Sequence, residues 1–259
     1  MENLCKNFIQ WAVVTIGLVV VGLGAPEVAT GQMVPLPQDL EVQLALSALP
    51  AHLRDDATIY VLDPKAGYTV FKEGSNGFVA LVGRTSTRFY QADWDYAYPT
   101  DQLIPMAYDA VGMEFHLKPW FDLARMRAEG ASPTDAKERL RAGFTDGTYR
   151  APNKGGISYM LSPIHRAYLA PEVSGEIFTV SFPHYMPYAP HVTGKQLGNF
   201  DPTAGPFALN HGQHGAGPHG YLVFMLPVGQ IAEVRTEYAN LLAELCELHA
   251  NWCIDENSQ

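Results

Sequence analysis

Three runs rich in β-branched and aromatic residues, Thr58-Ile-Tyr-Val-Leu62, Tyr68-Thr-Val-Phe71 and Phe78-Val-Ala-Leu-Val82, follow one another with only turn-forming residues between them. The connections are Asp63-Pro-Lys-Ala-Gly67 and Gly74-Ser-Asn-Gly77. Proline presets one backbone angle there, and glycine permits the positive φ that tight turns require. The segment is expected to form a three-stranded antiparallel meander. A sheet of this kind must bury an apolar face, so the remaining elements have to cover it.

Helical signals lie on either side. Leu40, Leu44 and Ala48 share one face of residues 38–49, which end at Pro50. Residues 85–105 read as an aromatic and acidic loop, and helical patterning resumes over residues 108–129, where Pro119 kinks or divides it. Ser132 caps a second helix, Pro133 suits its first turn and Asp135 complements its positive end, with the helix running to about Gly143. Strand-like runs return at residues 157–161, 176–181 and 220–225, while proline and glycine break up residues 182–190 and 199–220. Ile231, Val234, Tyr238, Leu241, Leu245, Leu248 and Trp252 recur at helical spacing. The wide stripe, which includes Leu242, reads as a terminal helix packed on its own domain, with a homodimer seam as the competing reading. The fold class expected is α+β: a single domain with an antiparallel sheet, a central helical pair and a C-terminal amphipathic helix.

The N-terminal residues contain an uncharged apolar run, residues 8–25, followed by Ala29-Thr30-Gly31. This pattern suits a signal peptide spanning residues 1–31, cleaved before Gln32, with an uncleaved membrane anchor as the alternative. Both make the rest an exported chain, periplasmic or secreted, divided into a globular domain over 32–229 and the helix over 230–259. The composition is 47% hydrophobic and 17% charged, enough for a packed core. With 17 Lys and Arg against 27 Asp and Glu, the net charge of −10 argues against a nucleic-acid partner. Cys5 lies in the leader. Cys246 and Cys253 stand about 10 Å apart on a continuous helix, too far to pair. A helix that stops near Asn251 would let the chain turn back and close a disulfide, and both states stay open.

No G-x-S-x-G, P-loop, G-x-G-x-x-G, H-E-x-x-H or C-x-x-C occurs, and no acidic stretch matches an EF-hand loop. Asn76-Gly-Phe-Val-Ala-Leu-Val-Gly-Arg84, Gly156-Ile-Ser-Tyr-Met-Leu-Ser162 and Phe182-Pro-His-Tyr-Met-Pro-Tyr-Ala-Pro190 resemble pieces of an uncharacterised group of exported bacterial proteins. The resemblance spans residues 44–227. It implies export and a single domain, and it transfers no activity, cofactor or site residue.

Candidate chemistry therefore rests on histidines. His211, His214 and His219 lie in a glycine-rich run, and His184, His191 and His219 each follow a proline that restrains the preceding backbone. If the two loops meet, His184, His191 and His219 form the core of a metal site, with His211, His214 and Met186 as lesser candidates. Imidazole with thioether suits copper, and three imidazoles with water suit zinc. The competing reading is a plain glycine-rich loop. His116 and His165 read as structural. Tyr90, Asp93, Trp94 and Asp95 could stack on and hydrogen-bond a sugar-like ligand, or merely pin their loop. Three functions remain open: an exported binder of a small molecule or metal ion; a metal-assisted hydrolase or oxidase with Asp93 or Glu114 as base; and a cell-envelope interaction module. Membrane attachment enters only with an uncleaved leader.

Overall fold

The computed structural model describes residues 32–88, 97–169, 174–198, 205–210 and 217–254. The leader and the candidates Tyr90, Asp93, Trp94, Asp95, His211 and His214 lie outside these residues. In chain order the elements are α1 (Gln38–Ser47), α2 (Ala51–Arg54), β1 (Thr58–Asp63), β2 (Gly67–Lys72), β3 (Val79–Gly83) and β4 (Ile104–Tyr108). Then come α3 (Ala110–Phe115), α4 (Lys118–Ala128), α5 (Pro133–Thr145), β5 (Ile157–Met160), β6 (His165–Tyr168), β7 (Ile177–Val180) and β8 (His184–Pro187). The chain continues through α6 (Gly194–Leu197), β9 (Phe207–Asn210), β10 (Gly220–Met225), α7 (Val228–Glu237) and α8 (Ala239–Leu248).

Among the described residues eight strands form one sheet in the order β2-β1-β3-β4-β5-β8-β10-β9, and β6 and β7 pair separately. Every pair is antiparallel except β1 with β3. The chain is a single α+β domain. β3 and β4 are buried at every residue, because both faces of the sheet are covered. Side chains alternate across a strand, so Ala80, Val82 and Ala107 join Leu44, Leu49, Leu241 and Leu245 in one core. Val79, Leu81, Met106 and Tyr108 join Trp120, Met186, Tyr188 and Tyr221 in the other. The first core lies under α1 and α8 and the second under α4.

The expected meander is corrected at its second turn. β1 and β2 pair antiparallel, but β3 lies on the far side of β1 and runs parallel to it. The connection is held across the start of β1: the Ser75 N–H donates to the Asp56 carbonyl (2.8 Å), the Gly74 N–H to Thr58 Oγ1 (2.9 Å) and Asn76 Nδ2 to the Leu53 carbonyl (2.8 Å). A Cβ on Gly74 would stand 2.3 Å from the Asp56 carbonyl oxygen and from the Ala57 carbonyl carbon. Glycine is therefore what lets the chain cross there.

Residues 104–108, placed by the sequence in a loop and the start of a helix, form the central strand β4. The helix expected over 108–129 is two, α3 and α4, with Pro119 in the first turn of α4. Ser132 caps α5 as its sequence implies, its Oγ accepting the Asp135 N–H at 3.1 Å. The segment 182–190, read as irregular, holds β8 in the middle of the sheet.

The single terminal helix is likewise corrected to two. α7 ends at Tyr238, whose backbone (φ −105°, ψ 22°) leaves the helical region. The Tyr238 ring lies under the Arg54 guanidinium, 5.4 Å away. α7 buries no residue, whereas α8 buries Leu241 and Leu245. His249 is extended and stops α8, and a 3-10 turn over Ala250–Trp252 buries Trp252, whose Nε1–H donates to the Asp101 carbonyl at 2.7 Å. The reversal brings the Cα atoms of Cys246 and Cys253 to 4.4 Å, and a disulfide joins them. Among the described residues no helix is long and apolar enough to cross a membrane.

Two expected outcomes test this packing. Gly74→Ala should lower stability by about 1–3 kcal/mol in urea denaturation, and an unchanged midpoint contradicts the crossing geometry. Glu41, on α1 and only 5% exposed, accepts the Leu62 N–H at 2.9 Å. Burial pushes its carboxyl up to about 7, against the Leu62 hydrogen bond and the Arg84 charge, which both favour the anion. A folded pKa above the unfolded value of 4.5 means that this contribution is full below pH 4.5 and is lost as pH rises through 7. Glu41→Gln should therefore exceed the parent in stability at pH 8 by on the order of 3 kcal/mol and match it at pH 4.

Candidate functional site

Asp109 sets the geometry of the site. Its Oδ1 accepts the Gly112 N–H at 2.8 Å, which starts α3, and its Oδ2 accepts the Ile157 N–H of β5 at 2.9 Å. The Tyr188 hydroxyl, one residue beyond β8, donates to Oδ1 at 3.0 Å. A Cβ on Gly112 would come within 2.1 Å of that hydroxyl. So fixed, α3 is short, and His116 closes it, with its backbone N–H on the Gly112 carbonyl. The ring is only 4% exposed and packs on Tyr188 and Tyr221, with centroids 4.5 and 4.6 Å away.

His116 Nδ1 lies 2.7 Å from the Tyr221 hydroxyl. That hydroxyl is also hydrogen-bonded to Tyr108, which accepts from Trp120. The Tyr221 hydroxyl and His116 Nδ1 share one proton between them. His116 Nε2 is buried without a partner. His219, just before β10 and also 4% exposed, repeats the arrangement. The backbone carbonyls of Tyr149 and Arg150 hold its ring, and its Nε2 too is buried and unpartnered. The two imidazoles stand 6.1 Å apart, centroid to centroid, with Phe144 of α5 edge-on to His219 at 5.0 Å. Both rings border a narrow cleft of about 10 Å³ lined also by Thr87, Phe115, Pro119, Trp120, Phe144 and Tyr221. Burial pushes His116 down to about 3, with the nearby His219 adding to the shift. Burial also lowers His219, against its two carbonyl contacts. Both rings are neutral at physiological pH.

The proline-histidine residues do not converge. Met225 opposes His184, and the Ala189 N–H donates to the Gly220 carbonyl. His184 and His219 therefore lie at opposite ends of the β8–β10 ladder, about 20 Å apart at the usual rise per residue. The His191 N–H reaches the Gly217 carbonyl at 2.9 Å, near His219. The His191 side chain is nonetheless exposed, on a backbone with φ of +63°. Among the described residues no group of three or more His, Cys, Asp or Glu side chains is placed to hold a metal ion, and two imidazoles alone fall short of the usual zinc site. Met186 is buried in the sheet near His184. Glu114 is exposed and pairs with Arg150 at 3.2 Å.

His116 and His165, read from sequence as structural, are the partners that the structure supplies. His165 pairs with His184 at a centroid distance of 5.8 Å. No local spacing announces either pair, since the His116–Tyr221 contact spans 105 positions.

Comparison with family models, curated proteins and solved structures found no match.

Burial also pushes His184 down to about 4, against its hydrogen bond to the Phe182 carbonyl. NMR of the imidazole nitrogens at pH 5.5 should show His116 and His184 neutral, with the proton of His184 on Nδ1, and a midpoint near 6.5 for either contradicts the geometry. A histidine lowered from 6.5 contributes stability that is full above that pH and is lost as pH falls toward its folded value. For His116 the loss should reach on the order of 3 kcal/mol by pH 4.5, measured in a Glu41→Gln background because Glu41 acts in the opposite direction over this range.

Proposed function

We propose that the protein is exported and binds a small molecule in the cleft over His116 and His219. The observation that carries this reading is the pair of buried, unpartnered Nε2 atoms bordering one aromatic-lined cleft. A buried polar atom without a partner costs about 1–3 kcal/mol, and a ligand bringing hydroxyl groups, which both donate and accept, offsets that cost at both rings. The enclosed space is about 10 Å³, room for about one water, so a ligand ring enters only as the side chains bordering the cleft move aside. Trp120, Phe144 and Tyr221 supply flat faces for a single ring. The ligand class is a hydroxylated single-ring compound. Export is supported by the uncharged apolar run over residues 8–25 and the small residues that follow it.

Calorimetry with catechol, resorcinol, phenol and toluene tests the reading. The dihydroxylated rings should bind most tightly and toluene most weakly. His116→Phe and His219→Phe should each weaken catechol binding by about tenfold, the equivalent of one lost hydrogen bond. Equal affinity for catechol and toluene, or affinity indifferent to both histidines, overturns it.

A further inference from the structure

A second cluster of soft ligands surrounds His184, at the far end of the same sheet face. In the sheet register Met160 of β5 lies opposite His184 on one side and Met225 of β10 lies opposite it on the other. Directly opposed residues of antiparallel strands share a face, with Cβ atoms about 4.5–5.5 Å apart. Met160 and Met225 therefore flank His184 on the same sheet face, and both pack against the second core. His165 approaches the same ring at 5.8 Å. His184 Nδ1 lies 2.8 Å from the Phe182 carbonyl. A carbonyl can only accept, so Nδ1 carries the proton and Nε2 is a free lone pair. This is the arrangement by which a backbone carbonyl orients a ligating imidazole. His165, only 1% exposed, donates from one ring nitrogen to the Pro105 carbonyl, which can only accept, so its other nitrogen keeps the lone pair.

We infer that His165, His184, Met160 and Met225 form a binding site for a soft monovalent cation, Cu(I) or its analogue Ag(I). Two imidazoles and two thioethers are neutral, polarisable donors, and thioether ligation selects Cu(I) over zinc and over hard cations. All four donors are uncharged, so a monovalent ion leaves less uncompensated charge in the core than a divalent one does. Met160 and Met225 are half-buried, which gives the ion a route from the surface to the enclosed rings. The site is independent of the cleft over His116 and His219.

The test uses the full chain carrying Cys5→Ser, oxidised so that Cys246 and Cys253 offer no thiol. Anaerobic titration with Cu(I) against bicinchoninate should show one ion held per chain. Met160→Leu combined with Met225→Leu, a nearly volume-conserving change, should weaken that binding at least tenfold. Ag(I) should shift the ε-methyl resonances of Met160 and Met225 in the parent. No ion retained against the chelator, a loss smaller than tenfold in the double variant, or movement confined to other methionines overturns the inference. The leucine variants keep the test decisive where replacement of His184 or His165 would unfold the core, and their thermal midpoints verify that they fold.

Discussion

The Asp109 carboxylate joins three elements at one point, and much of the second face of the sheet depends on that junction. It caps α3, holds the first residue of β5 and receives the hydroxyl of Tyr188. Hydrogen bonds to a charged acceptor are worth about 1.5–3 kcal/mol each. The energy matters less than the geometry that follows. α3 can leave β4 in only one direction, so His116 arrives under Tyr188 and beside Tyr221, and α4 then places Trp120 over the sheet. The Trp120, Tyr108, Tyr221 and His116 side chains form one hydrogen-bonded chain whose last free valence is His116 Nε2. Loss of the Asp109 junction would release the whole chain of contacts and not a single bond.

The two imidazole pairs have a common physical character. In each, burial removes charge from the rings, and a hydrogen bond to one ring nitrogen leaves the other without a partner. Interior polar atoms without partners are uncommon in folded proteins, and here they recur at both ends of the β8–β10 ladder. The environments then differ. His116 and His219 border an aromatic cleft, whereas His165 and His184 are enclosed beside thioethers. The same side chain thus faces flat aromatic rings in one place and soft sulfur side chains in the other.

Much of the fold is legible in local residue patterns. The Ser132-Pro133 start of α5, the strands β1, β2, β3, β5, β7 and β10 and the helix α1 rest on short-range chemistry that any context preserves. The errors fall where a distant contact overrides local preference. Gly74-Ser-Asn-Gly77 has the chemistry of a hairpin turn, yet its hydrogen bonds to Leu53, Asp56 and Thr58 carry the chain across β1. Residues 182–190 contain three prolines, and still β8 pairs on both edges. The terminal stripe continues through Tyr238, where a cation–π contact with Arg54 accompanies a break that the periodicity does not show.

The sequence by itself determined the composition of a packed α+β domain, most of its elements and the identity of His184 and His219 as unusual histidines. It could not determine their partners. Proline before each histidine restrains one backbone, but convergence depends on strand register, and the antiparallel β8–β10 ladder sends these two residues to opposite ends. Tertiary structure alone decided that His116, at the end of a helix, would meet His219, and that His165 would meet His184. The physical reason is that a ring's charge state and free valence are set by burial and by the group bonded to its other nitrogen, and both come from residues far away in the chain.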